Sequence, residues 1–86
     1  MLKILFFGQL KDVLKTDELK IELVKGASAI ETVAMLRETL QLKGELWQEY
    51  MAYGKALVAV NQEISKETAP LKAGDEIAFF PPVTGG

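Results

Sequence analysis

The residues with the most distinctive chemistry stand at the end of the chain, Phe79-Phe80-Pro81-Pro82-Val83-Thr84-Gly85-Gly86. No side chain in the last six residues can act as acid, base or metal ligand. The reactive group left is the α-carboxylate of Gly86. Gly85 and Gly86 have no Cβ, so this end fits a slot too narrow for other residues. Pro81 and Pro82 fix φ near −65° and lack N–H groups, which stops a strand ladder and favours a stiff, extended exit. Five residues beyond Pro81 span about 15–18 Å when extended. That reach delivers a carboxylate into the active site of another protein. The bland alternative is a frayed terminus, although two adjacent prolines are unlike a flexible tag.

Composition restricts the remaining chemistry. The 86 residues make one domain with a small core, and 49% of them are apolar. Cysteine and histidine are both absent. That removes disulfides, thiolate nucleophiles, the commonest zinc ligand and the commonest general base. A net charge of −2 with scattered lysines argues against non-specific nucleic-acid binding. No apolar run approaches the ~20 residues of a membrane span. The opening Met1 to Phe7 lacks a signal-peptide pattern and reads as a strand. A cytoplasmic chain is expected.

The elements that must position the terminus follow from periodicity. Leu2 to Phe7 reads as strand one, with Leu2, Ile4 and Phe6 on one face and Lys3, Leu5 and Phe7 on the other. Leu10, Val13 and Leu14 are spaced for one or two helical turns. Leu19 to Leu23 alternates as strand two, antiparallel to the first. Ser28 with Glu31 fits a capping box opening the main helix. Val33, Leu36 and Leu40 form its apolar stripe, Arg37, Glu38 and Gln41 its polar side, and Gly44 its C′ residue. Leu46 to Tyr53 predicts a second, shorter helix closed by Gly54. Ala56 to Val60 is strand three, and Asn61-Gln62 turns into Glu63-Ile64-Ser65. Glu76 to Phe80 is the last strand. Ile77 and Phe79 share one of its faces, Ala78 and Phe80 the other. The expected fold is α+β, a mixed sheet of about five strands packed on one main helix. The two Phe-rich strands sit side by side at its centre. Residues 1–81 form the domain and 82–86 a protruding arm.

Only one face of such a sheet is covered. Leu5, Phe7 and Phe80 then form an apolar docking patch at the root of the arm, with Ile64 as a further member. The alternative is a second small core beneath Leu10 to Leu14. Asp75 and Glu76 read as turn and solvated strand end, Trp47 as packing.

Leu5-Phe6-Phe7-Gly8, Val58-Ala59-Val60-Asn61-Gln62 and Gly74 to Gly86 resemble the small subunit of molybdopterin synthase, a family of ubiquitin-like, β-grasp sulfur carriers. The resemblance covers nearly the whole chain, although Thr32 to Lys55 carries no motif of the family. It implies a non-catalytic sulfur-donating subunit that itself binds no cofactor. An adenylating enzyme of the ubiquitin-activating type uses ATP on Gly86, and a sulfur donor protein converts the adenylate to a thiocarboxylate. The large synthase subunit receives the arm and supplies acid and base in a heterotetramer. Gly86 would carry sulfur, Gly85 permit close approach, and Thr84, Val83, Pro82 and Pro81 be gripped by a tunnel. Phe7, Phe80 and Ile64 would dock. Rival readings are a carrier of the thiamine type, a protein modifier joined to lysines, and a non-covalent interaction domain.

Overall fold

The structure, a computed structural model, describes residues 1–22, 30–52 and 54–82. Its elements are β1 (Leu2–Phe6), α1 (Gly8–Leu14), β2 (Glu18–Ile21), α2 (Val33–Gln41), α3 (Glu45–Tyr50), β3 (Leu57–Val60), β4 (Glu63–Ile64) and β5 (Glu76–Phe80). The five strands form one mixed sheet in the order β2-β1-β5-β3-β4. β1 pairs parallel with β5, and β2, β3 and β4 pair antiparallel with their neighbours. The first and last strands are therefore central neighbours, as their shared Phe content predicts.

Strand alternation assigns the faces. Leu2, Ile4, Phe6, Ile77, Phe79 and Val58 point into one buried core with Val33, Leu36, Leu40 and Met51. Phe6 and Phe79 stack with centroids 6.0 Å apart, and Trp47 meets Phe6 edge-on at 5.4 Å. Such aromatic pairs stabilise beyond the area they bury, by about 0.5–1.5 kcal/mol. Leu10 and Leu14 of α1 join this same core. They do not roof a second one over Leu5 and Phe7, so that alternative is discarded.

Several local expectations change. The main helix begins at Val33, capped by the Thr32 hydroxyl, which accepts from Met35 N at 3.3 Å. Ser28, the expected cap, lies outside the described residues, as do Leu23, Val24 and Tyr53. A tertiary contact places this start. The segment around residues 67–70 satisfies the first-turn donors, with Val33 N donating to Ala69 O and Ala34 N to Glu67 O. Gly44 caps the start of α3 rather than closing α2. The helical turns expected over Leu10 to Leu14 do form, as α1, which ends on Lys15 in the left-handed region, at φ 53.

Arg37 departs most from its expected surface position. It is 4% exposed. Its Nε and Nη2 donate to Glu67 Oε1 and Oε2 at 2.7 and 2.8 Å, and Nη1 donates to the carbonyls of Met51, Ala52 and Ala56. The guanidinium also lies 5.4 Å from the centre of the Phe79 ring. One cation thus ties α2 to the turn after α3, the start of β3 and the 67–70 segment.

Candidate functional site

The face of the sheet away from the helices is built in rows. Cross-strand register aligns Leu5, Ala78, Ala59 and Ile64 into one apolar row over four strands. The next row, nearer the end of β5, holds Phe80 opposite Leu57. Phe7 lies on the other side of Phe80, fixed by Phe7 N donating to Phe79 O at 3.0 Å. Phe7 is 49% exposed, Leu57 39% and Ile64 74%, while Leu5 and Phe80 are half-buried. The opposite end of the face is charged. Lys3 Nζ lies 3.9 Å from Glu18 and 4.0 Å from Glu76, exposed pairs worth little individually. The face thus runs from charged to apolar in the direction in which β5 approaches the arm.

Phe7 and Phe80 come together as expected. Ile64 does not touch that pair through its own row, and Leu57 completes the link. Strand alternation places Leu57 on this face, opposite in facing to Val58, as an addition to the expected docking residues. Leu57 and Ile64 also line a groove of about 540 Å³, together with Arg37 and Glu67.

The start of β5 is held as firmly as its end. Asn61 and Gln62, at φ 50 and 70, form the tight β3–β4 turn. The Asn61 amide donates to Asp75 Oδ1 at 3.0 Å, and its Oδ1 accepts from Glu76 N at 3.0 Å. Asp75 Oδ2 accepts from Lys72 N at 2.9 Å. Asp75 belongs to the turn, as expected, and is 5% exposed. Burial opposes its charge. The hydrogen bonds from Asn61 and Lys72, with the Lys72 cation, outweigh that and hold the carboxyl below its usual range.

Pro81 is half-buried and Pro82 exposed. Val83, Thr84, Gly85 and Gly86 lie outside the described residues. Of the two buried charged side chains among the described residues, Arg37 is paired with Glu67 and Asp75 is closed into its turn. Neither is free for acid–base work. What the described site offers is an apolar face at the C-terminal end of β5.

A five-stranded mixed sheet with parallel terminal strands at its centre, folded over one main helix, defines the ubiquitin-like β-grasp class. Residues 4–86 match the ThiS family, and the chain belongs to that family. It is 42% and 41% identical to proteins named molybdopterin synthase sulfur carrier subunit from Haemophilus influenzae and Escherichia coli K12. Each match covers all of both chains. Its structure superposes with a TM-score of 0.67, at 30% identity, on a chain in a complex of subunits 1 and 2 of molybdopterin-converting factor from Helicobacter pylori. The match covers 99% of this chain and 97% of that one.

Proposed function

We propose that this chain is the sulfur carrier of molybdopterin synthesis. The observation that carries the reading is full-length likeness to carriers of that name, together with an apolar face at the C-terminal end of the central strand β5. The Gly86 carboxylate attacks the α-phosphorus of ATP held by an adenylating enzyme and releases pyrophosphate. The mixed anhydride makes a poor electrophile reactive. A persulfide sulfur of a donor protein attacks the acyl carbon and expels AMP, and a thiol then cleaves the S–S bond to leave a thiocarboxylate. Two such sulfurs, delivered in the large synthase subunit, form the dithiolene of the pyranopterin product.

Phe7, Phe80, Leu57 and Ile64 dock the carrier. Pro81, Pro82, Val83, Thr84 and Gly85 thread the tunnel. The Helicobacter complex, in which subunit 1 is bound to subunit 2, supports a large-subunit partner. No helix among the described residues is long and apolar enough to cross a membrane, and the setting proposed is cytoplasmic.

The test is intact mass after incubation with adenylating enzyme, ATP and a sulfur source. The expected product has one oxygen of the C-terminal peptide replaced by sulfur. A chain that stays unmodified, or becomes linked through Gly86 to lysines of other proteins, overturns the reading.

A further inference from the structure

The corner between β1 and α1 lies against the root of the arm. Gly8 has φ +59, in the left-handed region. A Cβ built on it would stand 3.3 Å from Pro81 Cγ and 3.4 Å from Pro81 Cδ. The first of these is closer than an ordinary carbon contact. Immediately before the corner, Phe7 N donates to Phe79 O at 3.0 Å, so the ladder between the two central strands runs up to this contact. Pro81 has no N–H with which to continue that ladder. The proline ring thus occupies the space into which a side chain on residue 8 would project.

We infer that Gly8 is a positioning residue for sulfur transfer, a seat for the Pro81 ring that sets the direction in which the arm leaves the sheet. This rests on the sulfur-carrier reading above. The argument is one of alignment. Pro81 sits one Cα step of about 3.8 Å beyond Phe80 and is the first residue past the ladder. A Cβ on Gly8 pushes its ring aside at the point from which the rest of the chain is aimed. Misplacement by about 1 Å costs on the order of a hundredfold in a reaction that depends on alignment, so a shift of a few tenths of that costs on the order of tenfold or less. Docking by Phe7 and Phe80 is not displaced by this shift, so the loss falls on turnover rather than on binding.

The test uses the full chain with its adenylating enzyme, ATP and a sulfur source, and reads thiocarboxylate formation by mass. Gly8→Asn adds a Cβ while keeping a residue that tolerates positive φ. Pro81→Ala removes both ring atoms that the Cβ would meet. The expected result for Gly8→Asn is a melting temperature close to the parent's, an unchanged KM for the carrier, and a kcat lower by on the order of tenfold. In the Pro81→Ala background the same substitution should have no further effect.

Gly8→Asp provides a second probe with the same tolerance should the Asn variant fold poorly. Parent-like kcat in the folded variants, a loss that tracks the melting temperature, or equal losses with and without the Pro81 ring overturns the seat. A parent chain that takes up no sulfur overturns the carrier reading instead, and this inference with it.

Discussion

Arg37 and Glu67, thirty residues apart, meet in a two-toothed fork at 2.7 and 2.8 Å. The remaining arm of the guanidinium serves three backbone carbonyls. The two partners are therefore unequal. Arg37→Leu strands the carbonyls of Met51, Ala52 and Ala56 and leaves a half-buried carboxylate alone, costing about 3–5 kcal/mol. Glu67→Gln leaves the carbonyl bonds intact, and the Glu67 side chain is itself partly exposed, so the cost is about 1 kcal/mol. A loss of 1 kcal/mol lowers the melting temperature of a domain this size by about 4–8 °C. Thermal melts should therefore show a several-fold larger shift for Arg37→Leu. Equal shifts would contradict the hub role of Arg37.

Phe79 and Phe80 separate folding from docking. Phe79 is 0% exposed, stacked on Phe6, and Phe79→Ala should cost about 3–5 kcal/mol. Phe80 lies on the open face, where interface burial of one Phe is worth about 1.5–3 kcal/mol. Phe80→Ala should weaken binding to the large subunit by on the order of ten- to a hundredfold and melt well above Phe79→Ala. Normal binding by Phe80→Ala would remove this residue from the interface.

The chemistry of the arm should be independent of the domain. Deleting Gly86, or adding one residue after it, is expected to abolish sulfur loading with the melting temperature unchanged. Gly85→Val should load and transfer sulfur poorly at unchanged stability, the outcome that the proposed narrow slot for bare backbone requires. Sulfur on a truncated or extended chain, with mass confirming that its end is unprocessed, would count against Gly86 as the carrier atom's site.

Asp75 predicts an acid limb to stability. Its folded pKa is depressed, so its contribution is complete above the unfolded value, near 3.9. It is lost as the pH falls from there through the lower folded value. Asp75→Asn removes this titration. The parent minus mutant difference in unfolding free energy should be constant from pH 7 to about pH 5 and shrink below about pH 4. A difference that grows on acidification would reverse the assigned sign.

Much of this arrangement was legible in the chain. Period-two alternation in Leu2 to Phe7 and Glu76 to Phe80 assigns inside and outside correctly because each strand has one face on the core. Leu57 follows from the same rule. Arg37 lies four residues after Val33 and one after Leu36, on the apolar stripe, so periodicity alone puts it inside. Its charge argued for the surface, and the partner that makes burial tolerable, Glu67, is far away in sequence. The start of α2 was hidden for the same reason. Ser28 with Glu31 is a local signal, whereas Val33 N and Ala34 N find their acceptors on Ala69 and Glu67.

The pairing of β5 with β1 on one side and β3 on the other also has a mechanical consequence. Force applied to the chain beyond Phe80 enters the sheet along the axis of a strand bonded at both edges. The load falls on two ladders in shear, so many hydrogen bonds must yield together. An arm attached to an edge strand would instead peel one bond at a time. Leaving the sheet from its middle lets a small domain resist unravelling from the end that is pulled.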